Sequence, residues 1–187
     1  MPDTKVDVNK IFTHYSRLGV YRTMIYTLVV FSRICKTSSV KSNYLDELFE
    51  YILALPEYTK SGRFVEYIES EESPLLFQIA QIDTFDDAKT EYPAAFIEIL
   101  KSHSFSLKVF HSLLFHVIEL LMSNVYVGRD DDNMYQLLVK FGSMLPADEL
   151  SFPSIESFLC DNEEIDRWGM PITESEIKKW EVLIFDE

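Results

Sequence analysis

Apolar residues recur at spacings of three and four along most of this chain, which is the period of an amphipathic α-helix. The first such stretch covers residues 7–36, where the pattern predicts one helix, or two helices joined near Gly19. The β-branched run Thr27–Phe31 also fits a strand, so a strand stays an alternative there. Further helices are predicted over residues 43–55 (ended by Pro56), Arg63–Glu69, Leu75–Ile82, and from Pro93 onward through Leu100.

The stretch Ser104–Val127 is apolar on nearly all sides, a pattern typical of a helix that other helices surround. At about 1.5 Å per residue such a helix would be about 36 Å long, so we expect it at the centre of the domain. Three shorter elements follow: a helix over Met134–Met144, a helix over Ser151–Cys160, and a last helix indicated by the capping box of Thr173 and Glu176.

These patterns predict an all-α fold in which residues 1–187 form a single helical domain. The architecture would be a multi-helix bundle or an irregular α-solenoid around a central apolar helix. The composition agrees, because 5 glycines and 7 prolines are too few for the turns of a β-sandwich. With 47% hydrophobic residues, the chain is too apolar for a disordered acidic tail.

The cysteines and the absence of a targeting signal point to the cytoplasm. Cys35 and Cys160 lie far apart in the sequence, which fits buried thiols in a reducing compartment better than a disulfide framework, although one bridge stays possible. The apolar stretch Met24–Phe31 is shorter than the roughly 20 residues that a membrane span needs. We therefore expect a cytoplasmic protein that does not bind a membrane.

Acidic and basic residues are segregated along the chain, whose net charge is −14. Residues 1–41 contain seven bases and two acids and carry +5, whereas residues 42–187 contain 10 bases and 29 acids and carry −19. This charge repels nucleic acid and favours a cationic partner. The basic N-terminal helix could bind an anion, or it could pack internally with its bases paired to acids further along the chain.

No arrangement of side chains predicts catalysis, a metal or a cofactor. His111 and His116 are five residues apart and diverge on a helix, and the pair His116 and Glu119 reverses the order of a di-iron motif and has no second copy. The run Asp130–Asp132 lacks the glycine and glutamate of a calcium loop. The sequence also contains no nucleophile motif and no phosphate-binding glycine loop.

The best candidate surface for a partner is the acidic region between residues 130 and 168, and a second acidic strip, formed by Glu66, Glu69, Glu71 and Glu72, is the alternative. Residues 130–166 contain ten acids and one base, Lys140, and aromatic residues lie close by in the sequence. Interface hot spots favour aromatic side chains, and charge steers the encounter. Acids at a helix start can also simply cap that helix. The predicted partner-binding residues are Asp130, Asp131, Asp132, Tyr135, Asp161, Glu163, Glu164, Asp166 and Trp168.

In size, acidity and absence of cofactor motifs, this profile resembles the bacterial immunity proteins that neutralise polymorphic or contact-dependent toxins. The resemblance implies a small cytoplasmic toxin inhibitor, part of a toxin–antitoxin pair, that blocks a basic nuclease-type toxin by protein–protein interaction. Carboxylates would take the places of substrate phosphates. Two alternatives remain: a helical adaptor that binds a partner peptide, and an enzyme with a helical-bundle active site around His111, His116 and Glu119.

Overall fold

The computed structural model describes residues 7–69, 92–103, 106–126, 131–145, 152–160, 168 and 171–186. Within these ranges the chain forms α-helices and no β-strand, which confirms the all-α prediction. Helices of the described residues are α1 (Val8–Thr37), α2 (Asn43–Leu53), α3 (Leu55–Lys60), α4 (Phe64–Glu69), α5 (Ala94–Ser102), α6 (Leu107–Tyr126), α7 (Asp131–Met144) and α8 (Glu174–Glu181). A 3₁₀ turn (Ile155–Phe158) precedes α8, and a π-helical turn (Val182–Asp186) follows it.

Helix α1 consists of two helical segments that meet at Gly19, which is the second of the two forms that the sequence left open. Asp7 caps the first segment by accepting a hydrogen bond from the Lys10 amide at 3.1 Å. At Gly19 the backbone adopts φ 66° and ψ −178°, a conformation that is essentially restricted to glycine. The strand alternative for Thr27–Phe31 is wrong, because these residues continue the second segment.

The second segment of α1 is the central helix of the fold. Every residue from Leu18 to Ser32 is buried, and α6, α7, the 3₁₀ turn and the π-helical turn all pack against α1. The prediction that Ser104–Val127 holds this place is therefore wrong. Helix α6 packs along α1, but Lys108 is exposed and Glu119 is half-buried.

Three buried hydroxyl residues make α1 look less apolar in the sequence than it is in the structure. Thr23, Thr27 and Ser32 interrupt its apolar pattern, yet all three are completely buried. Their hydroxyls donate to the carbonyls of Gly19, Met24 and Val29 in the same helix, at 2.7–2.9 Å. Because each hydroxyl is satisfied locally, it can enter the core without a partner on another helix.

Three predicted boundaries also change, the first being the start of α7, which lies at Asp131 rather than at Met134. Helix α2 ends at Leu53 rather than at residue 55, and Pro56 lies in the first turn of α3, where its missing amide costs no helical hydrogen bond. The helix predicted over Ser151–Cys160 is only the single 3₁₀ turn, flanked by extended backbone at Ser154 and Leu159. The helix predicted over Leu75–Ile82 lies outside the described residues.

The C-terminal helix α8 is attached to the core by a side-chain network. Its capping box is present as predicted, with Thr173 and Glu176 bonding to each other's backbone amides. The fully buried Arg22 of α1 donates to the Glu176 carboxylate at 2.8 Å and to the Pro171 carbonyl at 3.0 Å. Trp180, one turn further along α8, is buried and stacks on Phe158.

One helical stretch of the described residues, Arg17–Thr37, is long and apolar enough to span a membrane by length and composition. It extends beyond the Met24–Phe31 run that the sequence pattern singled out. In the structure 94% of its most apolar window is buried inside the protein, and the core helix of a soluble protein meets the same criterion.

Candidate interaction site

The acidic surface predicted around residues 130–168 is described in part. Helix α7 (Asp131–Met144) has the exposed Asp132 in its first turn, where negative charge complements the helix dipole. Tyr135 and Trp168 are also described. The remaining predicted residues lie outside the described part of the chain: Asp130, Asp161, Glu163, Glu164 and Asp166.

Tyr135 attaches α7 to the first segment of α1. Its hydroxyl donates to the Asn9 side-chain oxygen at 3.2 Å, and its ring meets the Phe12 ring edge to face at 5.0 Å. Phe12 keeps 37% of its surface exposed, so an aromatic pair lies at the surface about one turn from Asp132. This places one half of the predicted surface beside the N-terminal segment of α1.

Trp168 packs against the kink of α1. Its ring stacks on Tyr21 at 5.7 Å, and its carbonyl accepts a hydrogen bond from the Tyr21 amide at 3.0 Å. The Arg17 carbonyl, on the other side of the kink, accepts from the Cys160 amide at 3.4 Å. Because the backbone changes direction at Gly19, the Tyr21 amide and the Arg17 carbonyl bond to residues outside α1. Residues 160 and 168 are therefore held at the same kink.

The bases at the N-terminus are occupied by internal contacts, which supports the second of the two alternatives for this helix. Lys10 forms an ion pair with Glu156 at 2.6 Å, and Arg22 forms one with Glu176. Hydrogen bonds from Lys10 and Ser154 lower the pKa of Glu156 to about 2. The Arg17 guanidinium donates to the Cys160 carbonyl at 3.4 Å. These three bases thus join the N-terminal helix to later parts of the chain.

A groove of about 730 Å³ separates α2 and α3 from the C-terminal helix. Its apolar lining residues, which we call its floor, are Leu53, Ala54, Ile177, Val182 and Phe185. Glu50 and Glu57 line one side, Glu181 and Asp186 line the other, and Lys178 is the one base among the lining residues. We call this the α2–α8 groove. Its four acids are exposed.

A second hollow, of about 460 Å³, continues along α2 from Glu50 and Ala54, which line both. Three tyrosines, Tyr44, Tyr51 and Tyr58, surround it together with Glu47. Tyr51 and Tyr67 are fixed as a stacked pair, with ring centroids 4.3 Å apart, in which each hydroxyl donates to the other's carbonyl. This hollow extends the acidic and partly apolar character of the groove.

One wall of the groove has a signal in the local sequence. Glu47, Glu50, Ala54 and Glu57 follow one another at spacings of three, four and three, which places them on one side of a helical region. The pattern suggests no more than a solvent-exposed face. The opposite wall comes from residues more than a hundred positions away, which no local pattern connects to α2.

The histidines of α6 have structural partners. His111 Nδ1 lies 3.1 Å from the Tyr92 hydroxyl, and His116 Nδ1 lies 2.6 Å from the Ser112 carbonyl. Burial lowers the pKa of His116 and raises the pKa of Glu119. Among the residues that the structure describes, no three His, Cys, Asp or Glu side chains are placed to hold a metal ion.

The chain was compared with protein-family models, with curated proteins and with solved structures. None of the three comparisons found a match.

Proposed function

We propose that this chain is an inhibitory binding protein for a basic protein partner and that it acts without catalysis or a cofactor. The observation that carries the proposal is how its charges are used. In the described residues, Lys10 and Arg22 are engaged in internal ion pairs. Within the same part of the chain, Glu50, Glu57 and Glu181 are exposed. Bases such as Lys60, Lys108 and Lys140 are exposed as well, but the net charge of −14 leaves acids in excess, and this excess favours a cationic partner.

The specific role we propose is immunity to a nuclease-type toxin in the cytoplasm. A nuclease binds phosphates through a cleft lined by lysine and arginine. Exposed carboxylates of this chain would occupy the positions of those phosphates and exclude the nucleic acid. The net charge of −14 supports this role, since it accelerates the encounter with a basic protein.

The second candidate is a helical adaptor that binds a segment of its partner. The α2–α8 groove favours this candidate, because it combines an apolar floor with acidic sides. Grooves between helices are a recurrent way to bind an amphipathic helix. Both candidates need a cationic partner, but an inhibitor abolishes the activity of that partner, whereas an adaptor leaves it intact.

The test is co-expression of this chain with the C-terminal domain of a toxin candidate, namely the protein encoded by the gene next to that of this chain. Expression of that domain alone should arrest growth of the host, and co-expression with this chain should restore growth. In vitro, nuclease activity should fall to background at a one-to-one ratio of the two proteins, with the added chain and the toxin eluting as one complex.

Two outcomes would contradict immunity. If growth arrest persists and no complex forms, the chain is not an inhibitor of this toxin, and the toxin is not its partner. A stable complex that leaves nuclease activity intact would overturn inhibition and favour the adaptor. A matched control is Glu98→Gln, which removes one exposed acid from α5 and should leave the rescue unchanged.

A further inference from the structure

The α2–α8 groove differs from a simple cluster of acids because its floor is apolar. Val182 keeps 45% of its surface exposed there, although a valine on a soluble protein gains nothing from contact with water. The floor residues come from α2, α8 and the π-helical turn. Four acids lie on the two sides against Lys178 alone. The groove thus offers hydrophobic contact along its floor and negative charge at its rims.

Charge decides among the possible occupants. A second copy of this chain would carry −14 into an acidic groove. Residues 70–91, which lie outside the described part, contain six acids and one base and would be repelled in the same way. A cationic segment of another protein is the occupant whose charge is complementary.

The described residues offer no edge for strand addition, because they contain no sheet. An amphipathic helix needs only an apolar floor with polar rims, and it presents anchors at positions i, i+3, i+4 and i+7. We propose that the α2–α8 groove binds an amphipathic helix of a basic partner, with apolar anchors on Val182 and Phe185 and with Lys or Arg beside Glu50 and Glu181.

This inference rests on the proposed function in one respect, that the natural partner is basic. It is tested without that partner, by fluorescence anisotropy with labelled synthetic peptides and the full chain. The probe is a leucine–lysine peptide in the amphipathic helical pattern. One control peptide has the same composition in scrambled order, and the other replaces lysine by glutamate. We expect the probe to bind at least about tenfold more tightly than either control peptide.

Matched variants then locate the binding. Glu50→Gln/Glu181→Gln removes two charges from the groove, whereas Glu98→Gln/Glu174→Gln removes two exposed charges outside it. The first pair should raise the Kd for the probe at least about tenfold, and the second pair should raise it less than about threefold. Val182→Asn should weaken binding about tenfold, whereas Val65→Asn, at a more exposed valine of α4, should not.

Three results would overturn the groove as the site. Equal tightness for the probe and the scrambled peptide would mean that no apolar face is recognised. Equal losses in the two neutralised pairs would mean that only overall charge matters. A larger loss in Asp131→Asn/Asp132→Asn than in the groove pair would place binding on the acidic region instead. Each of these results would overturn the groove as the binding site but not the proposal that the partner is a basic protein. Failure of the co-expression assay would overturn the proposed immunity function but not peptide binding in the groove.

Discussion

At the scale of single residues, the Arg22–Glu176 ion pair is the contact that holds the C-terminal helix to the core. Arg22 is completely buried, whereas the Glu176 side chain keeps 27% of its surface exposed. Burial alone would raise the pKa of Glu176, but the hydrogen bonds and charge of Arg22, together with Thr173, outweigh it and lower that pKa. The ionised carboxylate is therefore part of the native structure.

Replacing Glu176 by glutamine should lower the free energy of unfolding by about 2–3 kcal/mol at pH 7, because it leaves the Arg22 charge buried without its counter-ion. A lowered native pKa stabilises the fold above the ordinary glutamate pKa, and this contribution disappears as the pH falls through the native value. The difference between wild type and variant should thus shrink below about pH 4. Urea unfolding at pH 7 and pH 3 measures both effects.

The control for this variant is Glu174→Gln, an exposed acid two residues earlier on α8. It should change the unfolding free energy by less than about 0.5 kcal/mol. A Glu176→Gln difference that is the same at both pH values would contradict the role of the ionised carboxylate.

Gly19 is the second residue whose identity the fold requires. Because its backbone conformation is essentially restricted to glycine, Gly19→Ala should cost about 1–3 kcal/mol and disturb the anchoring of Trp168. Gly62→Ala is the matched control: Gly62 has φ 71°, and an added Cβ there would meet nothing within 4 Å. It should cost about 1 kcal/mol.

Tryptophan fluorescence separates a loss of stability from a loss of anchoring. The chain has 2 tryptophans, so Trp180→Phe leaves Trp168 as the only tryptophan emitter. In that background Gly19→Ala should shift the Trp168 emission to longer wavelength in the folded protein, since the stacking on Tyr21 is loosened. Emission that is unchanged by Gly19→Ala would show that the kink does not hold Trp168.

At the scale of helices, the central position of α1 has a dynamic consequence. The most protected amides in a protein are those that exchange only on global unfolding. We expect this behaviour for Leu28 and Val29 in the second segment of α1. Amides of the six-residue helix α4, which includes the exposed Val65, should exchange orders of magnitude faster. Hydrogen exchange read by mass spectrometry or NMR tests this order, and slower exchange in α6 than in α1 would contradict it.

Local sequence patterns predicted the helices well and their arrangement poorly. The break at Gly19, the capping box at Thr173 and the amphipathic α2 are determined by neighbouring residues, so the sequence reveals them. Which helix is central depends on contacts between distant segments. The counting of apolar residues favoured Ser104–Val127, because the buried hydroxyls of Thr23 and Thr27 look polar in the sequence.

The candidate site shows the same division. The sequence indicated acids around residues 130–168 because they are contiguous in the chain. It could not show that Tyr135 contacts Phe12 and that Trp168 contacts Tyr21, since these contacts join positions more than a hundred residues apart. The α2–α8 groove was missed for the same reason, because its two walls are distant in the chain.

At the scale of the whole molecule, folding turns the segregation of charge along the chain into a more uniformly acidic surface. The N-terminal 41 residues carry +5, but Lys10, Arg17 and Arg22 are bound to Glu156, Cys160 and Glu176. The bases thereby neutralise or contact the acidic C-terminal part, while many acids elsewhere remain in solvent. A partner approaching from solution meets mainly negative charge, so its association rate should depend on salt.

Exposed charge should mainly affect the association rate, and an aromatic anchor should mainly affect the dissociation rate. Binding kinetics with the toxin domain used in the co-expression assay measure the two rates separately. Reversing Asp130, Asp131 and Asp132 to lysine should lower the association rate by about tenfold in low salt and less in high salt, because exposed charges are screened beyond about 10 Å at 0.1 M. Trp168→Ala should mainly raise the dissociation rate, as the loss of an aromatic anchor does. Because Trp168 also stacks on Tyr21, the unfolding free energy is measured in parallel, and only variants that remain folded are compared.

The control for the charge reversal is Glu98→Lys, which reverses one exposed charge on α5 and should slow association less than the triple reversal. Unchanged kinetics in the triple reversal would assign Asp131 and Asp132 to the capping of α7, because acids in a first helical turn stabilise the helix without any partner. If Glu50→Lys then slowed association, the α2–α8 groove would carry the electrostatic attraction instead.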